Sequence, residues 1–189
     1  MNAAQHEAEN TAPTRGGSVP YGSETYNRIV SFLYQEAALL DSIRLKEWGS
    51  ILATDLVYTA PLRQTRPMSQ QAQSIIRTVQ HYHDNYRSIM GRIMRLTETR
   101  SAWAEDPPSR TRRIVGNVQV FATAASEEFE VISNLLMTRS RFDSPDMDLI
   151  SGERHDVLRA DGSSFKLARR EVILDQAVLG TPNLAIFLS

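Results

Sequence analysis

Apolar positions along this 189-residue chain change rhythm part-way. From Ser23 onward Tyr26, Ile29, Val30, Leu33, Ala37 and Leu40 recur at helical spacing, with Ser23 placed to cap the first turn. Asp41 or Ser42 is placed to cap a second, shorter helix with Leu45, Trp48 and Leu52 on one face. "DLVYTAPL" then reads as a short β-rich run ended by Pro61. Residues 63–74 are polar and carry no pattern. Ile75, Val79, Tyr82, Tyr86, Ile89, Ile93 and Leu96 return to the helical period. Asp84 offers a later start for that helix, which must end before Pro107.

Beyond Pro108 the pattern becomes alternating. "TRRIVGNVQVFAT" places Ile114, Val118 and Val120 on one face and Asn117 and Gln119 on the other. "EEFEVISNLLMTRSRF" alternates through Phe129 and Val131, and "MDLISGERHDVLRA" and "SSFKLARREVILDQAVL" are joined by the hairpin signal Asp161-Gly162. In the last strand Phe165 and Leu167 have one parity, Val172 and Leu174 the other, which predicts a bulge near Arg169–Glu171. Helices followed by long strands predict an α+β fold, one curved antiparallel sheet wrapped over N-terminal helices. Residues 1–22 are rich in Ala, Asn, Thr, Gly and Pro and are expected as a mobile arm, with residues 23–189 as the single folded domain.

Composition narrows the chemistry. There is no cysteine, so disulfides, a thiol nucleophile, a Cys-type zinc site and an iron–sulfur cluster in this chain are excluded. The net charge of −1 gives no basic field for nucleic acid, and the arginines at 110, 112, 113, 139 and 141 lie among acids rather than stacking aromatics. No apolar run reaches the length of a membrane span and the N-terminus lacks the apolar middle of a signal peptide, so a cytoplasmic protein is expected.

Histidines are the remaining candidates for a metal or a base. On a helix, His81 and His83 of "HYHD" point to nearly opposite sides and cannot grip one ion. His155 and Asp156 are strand neighbours that face opposite ways. An acid–base enzyme would have to pair His155 with another carboxylate such as Asp41 or Asp55.

The densest stretch, WAEDPPSRTR at residues 103–112, contains no nucleophile or metal-ligand set. Its two prolines supply no backbone donors and stiffen the passage from helix to strand. Trp103 can bury its ring at such a corner, and Glu105 and Asp106 can pair with Arg110 or Arg112 within the chain or across a partner surface. Trp103, Glu105, Asp106, Pro107, Pro108, Arg110 and Arg112 are therefore expected to form a rigid corner at or near a subunit interface.

"RLTETRSAWAEDPPSRTRRIVGNVQV" resembles a segment of the small, or beta, subunits of bacterial aromatic-ring-hydroxylating dioxygenases. "FLYQEAALLDSIRLKEWGSIL", "LVYTAPLRQTR", "SGERHDVLR" and "LARREVILDQAVLGTPNLAIFL" are similar to the family's opening helices, first strand and last strands, in order, across most of residues 26–188. The resemblance implies a cone of the nuclear-transport-factor-2 (NTF2-like) type and a helix starting near Asp84. It further implies an alpha-subunit partner in a three-and-three (alpha3beta3) hexamer, with the Rieske [2Fe–2S] cluster and mononuclear Fe(II) in the alpha subunit. The family's holoenzyme converts an arene to a cis-dihydrodiol with O2, fed from NAD(P)H through a reductase and a ferredoxin. The beta subunit itself is then a structural, non-catalytic base without cofactor. Residues 63–83 depart from the family pattern. The alternative for such a cone is a stand-alone isomerase or dehydratase built on a pair such as His155 with a carboxylate.

Overall fold

The first apolar stripe forms α1, Glu24–Asp41, whose start is closed by Ser23 Oγ accepting from the Tyr26 amide at 3.3 Å. The computed structural model describes residues 16–99, 105–178, 180–181 and 187–188. Ile29, Phe32, Leu33, Ala37 and Leu40 of α1 are buried, and so is Glu36 among them. A tight reversal at Ile43, whose φ is +58°, leads into α2, Leu45–Ser50. Neither Asp41 nor Ser42 caps α2: its N-cap position is Arg44, and Asp41 is the last residue of α1.

β1, Leu52–Arg63, does not stop at Pro61. Its pairing with the next strand shifts register on both sides of Pro61, which absorbs the missing N–H without ending the strand. After a short 3-10 turn, Met68–Gln73, the chain forms β2, Ile75–Asn85, and only then α3, Tyr86–Glu98. The helical period read from Ile75 is therefore a strand in its first half. Asn85 decides the boundary: its side chain accepts from the Ser88 amide at 3.0 Å while Ser88 Oγ accepts from the Asn85 amide at 2.9 Å. Asp84 instead pairs with Arg92 at 2.8 Å.

The second half gives β3, Arg110–Ala122; β4, Glu128–Ser140; β5, Asp148–Asp161; and β6, Ser164–Leu174. The six strands form one sheet in the order β2-β1-β6-β5-β4-β3. Every junction is antiparallel except β1–β6, which is parallel. α1, α2 and α3 share one core with the concave face, an NTF2-like α+β cone that the sheet does not close into a barrel.

Two irregularities reset which side chains face inward. In β6 Arg169 pairs with Val157 but Leu167 with Leu158, so Ala168 is the extra residue and both Leu167 and Val172 reach the core. The predicted bulge exists, one residue before its expected place. In β3 the register slips between Gly116 and Gln119, with Asn117 at φ +51°. Ile114 is consequently on the outer face at 60% exposure while Val118 and Val120 are buried, contrary to the simple alternation.

Gly162, at φ +60°, begins the two-residue loop between β5 and β6. At the other end of the sheet residues 16–19, the last part of the expected arm, lie along the free edge of β3. Gly16 N donates to Ala122 O and Val19 N to Val120 O, both at 2.8 Å. This strap satisfies an edge that would otherwise expose unpaired backbone groups. Residues 1–15 lie outside the described residues.

Candidate functional site

The inner face of the cone is where an enzyme of this shape would need its acid–base pair. Alternation on β5 and β6 sends Arg154, Asp156 and Arg170 inward, where they meet Glu36 from α1. Arg170 donates to both Glu36 oxygens at 2.8 Å and to both Asp156 oxygens at 2.7 Å. Trp48 Nε1 donates to Glu36 Oε1 at 3.0 Å. Arg154 donates twice to Ser133 Oγ, at 3.1 and 3.0 Å, while its Nη1 lies 3.9 Å from Glu36 Oε2 without a hydrogen bond. Burial alone would raise the Glu36 pKa, but the charges and hydrogen bonds of Arg170, Arg154 and Trp48 bring it below its ordinary value. A carboxylate held ionised by two arginines is a cross-link, not a proton shuttle at neutral pH.

The residues named for the enzyme alternative do not converge. His155 is on the outer face, with Nε2 2.6 Å from Glu153 Oε1. Asp41 accepts from Thr111 Oγ1, from the Arg113 amide and from the Arg113 guanidinium. Asp55 pairs at the surface with Arg159 at 3.0 Å. His81 and His83 sit on β2 rather than on a helix, and His81 is the residue left without a β1 partner by the register shift between Ala60 and Pro61. Among the described residues, no group of three His, Asp or Glu side chains is placed to hold a metal ion.

The corner lies where the chain enters β3. Glu105 does not pair with Arg110 or Arg112. Its Oε1 accepts from Arg139 Nη2 at 2.6 Å and from Ser109 Oγ at 3.1 Å, and its Oε2 from the Ser109 amide at 3.0 Å. Strand parity is the reason: Arg139 is directed inward and buried, whereas Arg110 and Arg112 take the opposite face of β3. Arg110 donates to Phe142 O at 2.7 Å and Ser140 Oγ at 3.2 Å. The Arg112 side chain is 77% exposed, 4.0 Å from an Asp41 already engaged by Arg113. Asp106, Pro107 and Pro108 are exposed, and the Asp106–Pro107 peptide is cis. Trp103 lies outside the described residues.

From this corner an apolar row runs across the outer face. Ile114 on β3 is paired directly with Leu136 on β4, and Leu149 on β5 lies opposite Thr138. All three are exposed, as are Phe142 and Met147 beside them. Gly116 and Gly152 leave a shallow groove of about 400 Å3 bounded by Ile114, Leu136, Glu153 and Asp175. A contiguous exposed apolar surface rimmed by arginines and carboxylates has the character of a protein contact.

The profile of the ring hydroxylating beta subunit family matches residues 35–181. The chain is also 36% identical over 181 residues to the biphenyl 2,3-dioxygenase beta subunit of Rhodococcus jostii, covering 94% of this chain and 96% of that protein. The chain belongs to the ring-hydroxylating beta subunit family.

As a ring-hydroxylating beta subunit it is a component of an aromatic-ring dioxygenase, which implies an alpha-subunit partner. Its fold is that of a solved naphthalene 1,2-dioxygenase chain, with TM-score 0.75, 22% identity and full coverage of both chains. A proposed scytalone dehydratase from Novosphingobium aromaticivorans shares the cone more distantly, at TM-score 0.55 and 13% identity over 80% of this chain and 85% of that one. No helix among the described residues of this beta subunit is long and apolar enough to cross a membrane.

The buried ions of this beta subunit escaped the sequence reading. Glu36 did leave a signal, since it interrupts the apolar stripe of α1 between Leu33 and Leu40. Arg139, Arg154, Asp156 and Arg170 share the parity of buried neighbours on their strands, but parity alone does not name their partners.

Proposed function

We propose that this beta subunit is the non-catalytic support of an alpha3beta3 complex, and that the corner and the adjoining outer face form its contact with alpha. The observation that carries the reading is the continuity of exposed Arg110 and Arg112 with the apolar row Ile114, Leu136 and Leu149. In this reading the alpha subunits hold the Rieske [2Fe–2S] cluster and the mononuclear Fe(II) and cis-dihydroxylate an arene with O2. Electrons come from NAD(P)H through a reductase and a ferredoxin, in the cytoplasm. A Rieske centre needs two thiolates, and this chain has no cysteine. Its His155 is committed to a surface contact with Glu153, and the buried Glu36 and Asp156 are committed to Arg170. This chain therefore lacks the thiolates of the Rieske centre, and among its described residues no group of three His, Asp or Glu is placed to hold the mononuclear iron, so the contribution of its own residues is to hold shape.

The test is the native mass, by light scattering, of the chain alone and co-expressed with its alpha subunit. A mixed complex whose arene-dependent O2 uptake disappears when this chain is omitted is the expected result. A self-contained oligomer that ignores alpha would overturn the reading.

A further inference from the structure

Phe187 and Leu188 are buried in the mouth of the cone, and three of the four groups that hold them are themselves fixed by a charged partner. The Phe187 ring lies 4.5 Å from Trp48, and the Arg92 guanidinium sits 4.6 Å from its centroid. Arg113 Nη2 donates to Phe187 O, and Tyr58 Oη donates to Leu188 O, both at 2.6 Å. Trp48 is anchored by Glu36, Arg92 by Asp84 and Arg113 by Asp41. These contacts come from α2, α3, β1 and β3, so the receptor exists only when the cone is assembled. Together they read one aromatic side chain and two successive main-chain carbonyls.

The same tail is tied to the corner. Thr111 and Arg139 are opposite one another on β3 and β4, and so are Arg113 and Met137, which makes Arg113 and Arg139 diagonal neighbours on the inner face. Arg113 holds the tail at Phe187. Arg139 holds it at Thr181, donating to Thr181 Oγ1 at 2.6 Å, and donates with its other nitrogens to Glu105 and Ser109 of the corner.

We propose that the cone mouth is a recognition site for the chain's own Phe187–Leu188 pair, and that seating this pair holds the Glu105–Arg112 corner in shape. The tail occupies the mouth in place of a small molecule, and Arg139 and Arg113 pass its presence to the surface offered to the partner. That last consequence rests on the corner being the alpha-subunit contact; the coupling within the chain does not.

Coupling between two sites is reciprocal, which supplies the test. Hydrogen exchange is measured by mass spectrometry on the full-length chain, without alpha, for Phe187→Ala, Glu105→Gln and the core control Val131→Ala. Phe187→Ala should speed exchange of the Ser109 to Arg113 amides about tenfold beyond the control, and Glu105→Gln should do the same for the Thr181, Phe187 and Leu188 amides. If each variant loosens only its own segment, or both raise exchange uniformly as Val131→Ala does, the proposal is wrong. Should Phe187→Ala fail to fold, Phe187→Leu keeps the apolar bulk, removes the ring contacts with Trp48 and Arg92, and is read in the same way. Because no partner is present, a negative result here leaves the subunit assignment untouched. Failure to co-purify with alpha likewise leaves the coupling untouched.

Discussion

Glu36 of α1 and Arg170 of β6 are joined by two hydrogen bonds of 2.8 Å inside the cone, with neither side chain exposed. The pair ties the first helix to the last strand, and through Asp156 and Trp48 it reaches β5 and α2. A network of this kind adds little net stability compared with a well-packed apolar core, but removing one member leaves the others charged and unpaired.

Glu36→Gln should therefore destabilise the chain by about 3–5 kcal/mol at pH 7, measured by urea unfolding. The Glu36 pKa is lower folded than unfolded, so its contribution is complete above the ordinary carboxylate value of about 4.3 and is lost as pH falls through the folded value. Unfolding free energy of the parent chain should fall more steeply below that pH than that of Glu36→Gln. Parallel curves would remove Glu36 as a source of acid sensitivity.

Leu136→Asp and Ile114→Asp place a carboxylate on the exposed apolar row. Melting temperature should barely move, because neither side chain packs in the core. Affinity for alpha should drop by about 2 kcal/mol or more, roughly thirtyfold in Kd, if the row is at the centre of the contact. Undiminished co-purification of both variants would place the contact elsewhere.

Arg112→Ala removes a side chain whose ionic neighbour among the described residues, Asp41, lies at the 4.0 Å limit. Stability should change by no more than about 0.5 kcal/mol, while the complex with alpha should come apart at lower salt. A complex with unaltered salt resistance would show that Arg112 does not contact the partner.

His155→Asn tests the enzyme alternative. The ring lies on the outer face with Nε2 2.6 Å from Glu153 Oε1, and Glu171, the residue opposite it on β6, is engaged by Arg77. Turnover of the reconstituted dioxygenase should be unchanged. A specific loss of turnover with intact assembly would bring His155 back as a catalytic candidate.

Much of this was legible because it is local. The stripe of α1 with its Ser23 cap, the alternating strands and the turn at Gly162 each arise from residues close together in sequence. Where several readings were equally local, the sequence misled. The period from Ile75 to Leu96 taken alone fits one helix, but the capping box of Asn85 and Ser88, together with pairing to β1, makes Ile75–Asn85 a strand and starts the helix at Tyr86, close to the start near Asp84 that the family resemblance implied. Ile114 reads as a core residue until the slip at Asn117 turns it outward.

The sequence by itself determined the α+β class with helices ahead of the long strands, the absence of thiol chemistry and the family, since WAEDPPSR and the segments around it are read without coordinates. Only the tertiary structure decided which charges are buried and with whom. Glu36 and Arg170 are 134 residues apart, and their meeting depends on the parallel β1–β6 junction and on the one-residue bulge at Ala168. Glu105 found Arg139 rather than its near neighbours Arg110 and Arg112 for the same reason. A side chain's partner across a sheet is set by register and pleat, and both are properties of the assembled strands rather than of any one of them.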